Sequence, residues 1–352
     1  MALRRRFLTA LRDIVIILLV TTASLEVGLR IFHHFRPLPI FYDNSYNRFR
    51  TRPHMPIYDF HTNSKGFHDV ERTQEKPAGT YRALGLGDSF SFGIVPHQFN
   101  YLTLLESRIK SVRPGFELIN MGIPGISPRE YLAVLLHEGL KLRPDMVLLS
   151  FFIGNDFAET AKIDRIYRLS YVANIAKYVY ALGTSVGNLG GATASAYKDD
   201  APSLTDGAFL QIESFGIPLF QKDNPLFDEA LSNTMAHLLT IKKICDLHGI
   251  RLSIVLIPDE MQVDDTLLLK VAGLRGIGAD QIDTYRPNRA LSAELTRLGI
   301  DHLDLLPIFR VETPSGRLYK PNDTHWNIRG NAIAERAIFE HVLSRIPMGA
   351  RQ

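Results

Sequence analysis

Four short segments carry residues that could share one reaction. "LGLGDSFSFG", residues 84–93, holds Ser89 directly after an apolar stretch, and "NDTHWN" holds His325 with Asp323 two positions before it. A serine hydroxyl is a weak nucleophile and needs a base to take its proton and a third group to orient that base. His325 is the candidate base and Asp323 the orienting carboxylate, provided the segment turns into a following helix. Ester chemistry passes through an oxyanion, and each donor aimed at it contributes about two or three orders of magnitude in rate. Three donors are available: the Ser89 N–H at a helix start, the Gly122 N–H in "NMGIPG", where glycine lets the backbone come close, and the Asn155 side-chain amide in "GND". Gly87 and Asp88 are read as support for the nucleophile loop, Asp88 through hydrogen bonds to local backbone. Ser91 lies past the turn, Trp326 and Asn327 pack or cap beside the histidine, and Arg329 is read as a solvated helix arginine.

These segments need elements to position them. Apolar runs "YRALGL" (81–86), "FELIN" (116–120), "DMVLLSFF" (145–152), "RLSIVLI" (251–257) and "DHLDLL" (301–306) alternate with helical patterns near 98–112, 128–142, 226–248, 286–298 and 328–345. Strands alternating with helices imply parallel pairing, and nearly continuous apolar runs imply a sheet covered on both faces. The expectation is an α/β protein, a three-layer α/β/α domain with a parallel sheet of about five strands. Sites in such sheets form beyond the carboxyl ends of the strands, and four of the five loops there carry the residues just named.

Gly87-Asp88-Ser89, Gly122, Gly154-Asn155 and Asp323-x-His325, in that order, resemble the four blocks of the SGNH, or GDSL-type, hydrolase superfamily. The resemblance spans about 80–345. It implies a flavodoxin-like fold, a Ser89/His325/Asp323 triad and an oxyanion hole from Ser89, Gly122 and Asn155. "NSKGFHD", "IPDEMQVD" and "DTHWNIRGN" are similar to membrane-anchored bacterial members, and "DTHWN" to the alginate O-acetyltransferase-like branch. Many secreted esterases of the superfamily have D-x-x-H instead. The departure turns the expected substrate toward O-acyl, chiefly O-acetyl, groups of cell-envelope or exopolysaccharide carbohydrate. Polysaccharide-modification proteins are the partners this implies; a non-catalytic carbohydrate-binding subunit and a lipid-directed esterase are the alternatives.

Composition narrows the remaining classes. The 352 residues are 45% hydrophobic and 22% charged with a net charge of +3, a balance that offers nucleic acid no basic footprint. The single cysteine, Cys245, permits no internal disulfide and reads as a buried thiol. No H-E-x-x-H motif or P-loop lysine occurs, so neither metal nor other cofactor is implied. At the N-terminus, basic residues 1–12 precede the apolar stretch 13–32, which reaches the roughly 20 residues of a spanning helix only by including Glu26 and Arg30. Those two are four apart and can pair on one helix face. Arg4, Arg5, Arg6 and Arg12 before the run outnumber Arg30 and Arg36 just after it, which favours a cytoplasmic N-terminus. No A-x-A pattern ends the run. The expectation is an uncleaved, single-pass inner-membrane signal anchor with a periplasmic domain. Residues 33–79 read as linker and irregular lead-in, 80–347 as the catalytic domain, and 158–225 as an insertion. Within it, 165–182 has imperfect helical periodicity and is read as core packing, with a lid or a membrane-surface contact as the alternatives.

Overall fold

The computed structural model describes residues 2–35, 46, 50–157, 170–173, 175–176 and 196–346. Most of the aromatic stretch 165–182, and the expectations attached to it, lie outside these residues. The chain divides into two compact units, Met1–Arg48 with Thr160–Gly187, and Phe49–Glu159 with Asn188–Gln352.

In the first unit, helix α1 (Ala2–Phe35) contains a stretch, Arg5–Phe32, long and apolar enough to cross a membrane. Glu26, inside that apolar stretch, is not left bare. Glu26 accepts from Arg30 at 2.6 Å, from the backbone N–H groups of Tyr171 and Val172 at 2.9 and 3.0 Å, and from Ser170 Oγ at 3.0 Å. The Arg30 guanidinium lies 4.6 Å from the Tyr171 ring centroid.

The second unit begins with an irregular stretch containing a two-strand hairpin, β1 (Pro56–Ile57) and β2 (Phe60–His61). Irregularity was expected from the absence of a helical period, but the stretch is closely packed: Thr62, Phe67, His68 and Asp69 are all buried. From there β3 (Tyr81–Leu86) leads into the short helix α2 (Ser89–Phe92), then α3 (Tyr101–Val112), β4 (Phe116–Asn120), α4 (Pro128–His137) and β5 (Met146–Phe152). Downstream come α5 (Asp206–Ser214), α6 (Pro225–Leu247), β6 (Arg251–Ile257), α7 (Asp265–Leu274), α8 (Arg286–Arg297), β7 (Asp301–Asp304) and α9 (Ile328–Leu343).

Strands β3 to β7 form one parallel sheet in the order β4-β3-β5-β6-β7. Every residue of β3 and β5 is buried, as a sheet covered on both faces requires. Ala83, Leu118, Met146, Leu148 and Val255 share a core with residues of α3 and α9. Because side chains alternate along a strand, Leu84, Val147, Leu149 and Ile254 face the other way, and each is fully buried. The strand reading of "YRALGL" holds with one charged member. Arg82 is fully buried, bonded to Glu117 on the neighbouring strand at 2.8 Å and to the Leu142 carbonyl at 3.0 Å, so its charge is paired rather than solvated. Cys245 is a buried free thiol on α6.

Candidate active site

Ser89 is placed by a strand that stops and a helix that starts three residues later. Gly87 occupies the corner, where a Cβ would stand 2.1 Å from Ser91 Oγ. Asp88 is the N-cap of α2: its Oδ1 accepts the Phe90 N–H at 2.9 Å, one of the donors a helix start leaves without an intrahelical acceptor. Asp88 is fully buried, and burial pushes its carboxyl up to about 6, against the lowering effects of the Phe90 N–H, the His325 charge and the Asn155 side chain. Ser91 is buried with its hydroxyl 2.8 Å from the Tyr101 phenol, which removes it from contention as nucleophile.

His325 comes from a tight antiparallel turn. Lys320 N–H donates to the His325 carbonyl at 3.0 Å and Asn327 N–H to the Leu318 carbonyl at 3.0 Å, with Asn322 at the bend in the left-handed region, φ 48°. Asn327 then caps α9 by accepting from Gly330 N–H at 2.8 Å. Trp326 is buried and fixes the turn against Phe90, Tyr101 and Phe309 at ring-centroid distances of 4.9, 5.7 and 5.0 Å. Arg329 on α9 is tied to Glu312 at 2.9 Å, an ion pair rather than a solvated arginine.

The structure brings Ser89, His325 and Asp323 into a continuous relay. Ser89 Oγ is 2.8 Å from His325 Nε2, and His325 Nδ1 is 2.6 Å from Asp323 Oδ1. Asp323 Oδ1 also accepts the His325 backbone N–H at 3.1 Å, so the two-residue spacing is used by both backbone and ring. Asp323 is largely buried. Burial would raise its pKa, but His325 outweighs that and the carboxyl sits below its usual range. Burial acts to lower the His325 pKa, yet the charge and hydrogen bond of Asp323 prevail and the net displacement is upward. The arrangement can take a proton from a hydroxyl at Nε2 while a carboxylate stabilises the resulting imidazolium.

The three expected oxyanion donors fare differently. Ser89 N–H heads α2. Asn155 is exposed in the turn after β5, and its side chain reaches Asp88. That turn is held by Asp156, which sequence reasoning passed over: buried, it accepts from the Tyr131 phenol at 2.9 Å and the Phe152 N–H at 2.9 Å, and burial raises its carboxyl well above the usual range. Gly122 departs from expectation. Its N–H already donates to Asn120 Oδ1 at 2.9 Å, and a Cβ there would lie 2.2 Å from Phe92 N. Gly122 therefore lets the loop pack on the back of α2. Gly125, three residues on, is exposed with φ 73°.

Two aromatic residues near Asp323 were also missed. Tyr58 sits in the β1–β2 turn with φ 55°, rare for a bulky side chain, and its ring meets that of Tyr197 edge to face at 5.1 Å. Burial, then the charge of Asp323, push the Tyr58 phenol up to about 12. No signal in "PIYDF" announces this; only the backbone conformation does.

No known family model matches this chain, and no curated protein does. Solved structures do. A catalytic mutant of an acetylxylan esterase from Geobacillus stearothermophilus is 12% identical, with 76% of this chain and 96% of that chain covered at a TM-score of 0.43. A lipase/acylhydrolase from Enterococcus faecalis is 14% identical over 77% of this chain and all of that one, TM-score 0.41. The acetyl xylan esterase AlAXEase is 14% identical over 74% and 99%, TM-score 0.41. Likeness of this degree leaves the reading of the site to its own geometry.

Proposed function

We propose that the protein is a serine esterase or O-acyltransferase that works through an acyl-Ser89 intermediate. The observation that carries this is the relay, 2.8 Å from Ser89 Oγ to His325 Nε2 and 2.6 Å from Nδ1 to Asp323. As Oγ bonds to the ester carbonyl carbon, its proton passes to Nε2 and the carbonyl electron pair moves onto oxygen. Collapse breaks the bond to the leaving alcohol, which takes the proton from His325. Water or an acceptor hydroxyl then repeats the sequence in reverse and frees Ser89.

The Ser89 N–H and the Asn155 amide stabilise the oxyanion. The third donor is a glycine N–H of the 121–126 loop. Gly125, exposed and left-handed, suits that role better than Gly122, whose N–H is held by Asn120.

The substrate is an O-acyl, chiefly O-acetyl, carbohydrate of the cell envelope or an exopolysaccharide. Tyr58 and Tyr197 support this, since paired aromatic rings beside Asp323 offer an apolar face and a polar rim to a sugar. Helix α1 anchors the chain in the inner membrane with the basic end cytoplasmic and the site periplasmic.

The test compares wild type with Ser89→Ala and His325→Ala on a short-chain acyl ester of a chromogenic phenol, with the acyl-enzyme read by intact mass. Both variants should lose turnover, and the adduct should vanish in Ser89→Ala. Turnover that survives Ser89→Ala refutes the mechanism. On acetylated oligosaccharide, Tyr58→Ala should raise KM while leaving the phenyl ester unaffected; equal effects on both would remove the sugar assignment.

A further inference from the structure

Helix α2 is four residues long, too short to be stable alone and unable to satisfy its own last carbonyls. Its far end is gripped by three buried side chains from elsewhere in the chain. Ser91 O accepts from Asn120 Nδ2 at 2.7 Å and from Asn100 Nδ2 at 3.0 Å. Phe92 O accepts from Asn100 Nδ2 at 3.2 Å and faces His68 Nδ1 at 2.9 Å. Asn120 belongs to β4 and Asn100 caps α3, so each has a local reason to be where it is. His68 has none: it arrives from the irregular stretch ahead of the sheet.

The chemistry of His68 is fixed by its surroundings. A carbonyl oxygen can only accept, so Nδ1 carries the proton. Nε2 then holds a lone pair that finds no hydrogen-bond partner among the described residues. The ring is 1% exposed, lying against Phe60 and Phe92 at 5.6 and 5.1 Å between centroids, with His97 at 5.5 Å. Burial, with His97 adding to it and Asp59 opposing, pushes the His68 pKa down to about 4, so the neutral donor persists at ordinary pH. A ring needed only for its volume would leave no reason for a buried unpaired nitrogen, which is unfavourable in itself.

We propose that His68 is a positioning residue for the reaction assigned to Ser89. Its Nδ1–H on Phe92 O fixes the last turn of α2, and with it the rotation that presents Ser89 Oγ to His325 Nε2. The neighbouring Asp69 reinforces the hold by accepting the Asn120 N–H at 3.1 Å, joining the same stretch to a second clamp. This assignment rests on the serine mechanism above. It adds that the NSKGFHD stretch, outside every loop at the carboxyl end of the sheet, sets the nucleophile's geometry.

Three substitutions separate the donor from the volume. His68→Asn keeps an amide N–H where Nδ1 lies, His68→Gln moves the donor out to the Nε2 position, and His68→Phe keeps an aromatic ring without a donor. Each is measured in the full chain for kcat and KM on the chromogenic ester, for the rate at which a fluorophosphonate labels Ser89, and for thermal melting. Since misplacing a reacting group by 1 Å costs about 100-fold, kcat and labelling should fall about 10- to 100-fold in the Gln and Phe variants, with KM unchanged. His68→Asn should restore both toward the wild-type values. If the Phe variant does not melt cooperatively, the Asn and Gln pair decides. Equal labelling and kcat in Asn and Gln variants would overturn the role of His68 while leaving the serine mechanism standing. A wild type that neither labels at Ser89 nor differs from Ser89→Ala would overturn both.

Discussion

In the proposed mechanism Ser89, His325 and the Asp323 carboxylate divide the work by environment. Asp323 is held ionised by its neighbour and in turn raises the His325 pKa, which sets a direction for the pH dependence. A general base works only when neutral, so kcat/KM should fall as pH drops through the His325 pKa, with the acid limb above the usual imidazole value of about 6.5. Asp323→Asn removes the group that raises it. The limb should move to lower pH, and because the ring loses the partner that sets its tautomer, kcat should drop about 10,000-fold. A pH–rate profile of both proteins checks the sign and the size together. An acid limb that stays in place would show that Asp323 does not govern the base. That these three side chains meet could be anticipated because reaction chemistry restricts which types can serve, and few loops offered them. His68 and Tyr58 were not, since a hydrogen bond to a carbonyl 24 positions away and a left-handed tyrosine leave no pattern in the chain.

At the scale of elements, the strands could be read because a sheet covered on both faces needs apolar runs, and each of the five runs is a strand. Helix α9 starts where Asn327 caps it, as a side chain of that type just before a periodic stretch suggests. The close packing of residues 57–69 was hidden, because burial there comes from scattered turns and side-chain bonds with no period to detect. The same holds for Gly122, chosen for its N–H and used for its missing side chain. Gly122→Ala should cost about 1–3 kcal/mol, since the added methyl meets backbone atoms of Ser91 and Phe92 that cannot rotate away. The loss should appear as a lower denaturant midpoint with an unchanged slope. It should be accompanied by a drop in kcat, because the strain is relieved by moving α2.

For the molecule as a whole, helix α1 and the Thr160–Gly187 segment are one compact unit despite their separation in sequence. The bonds from Tyr171, Val172 and Ser170 to Glu26 give that carboxylate partners, which an acidic group in an apolar helix needs. Hydrogen bonds to a charged group are worth about 1.5–3 kcal/mol, so Glu26→Ala should speed amide exchange at Tyr171 and Val172 about 10- to 100-fold. Exchange read by mass spectrometry in lipid nanodiscs tests this, and unchanged protection would mean that other contacts hold the segment. The pairing of Glu26 with Arg30 followed from their spacing, whereas its bonds to residues 144 or more positions away had no counterpart in the sequence reading.

The hydrogen bond from Ser89 to His325 closes a span of 236 residues, nearly the length of the second unit from its first sheet strand to its last helix. Contacts so distant along the chain form late, because the entropy of closing the intervening loop is lost before the bond returns anything. The sheet can therefore be largely assembled while the hydroxyl is still inert. During synthesis Ser89 leaves the ribosome long before His325 exists, and the nascent chain carries an unarmed serine until the last helix is made. Reactivity toward an acylating probe is then a clock for the final step of folding.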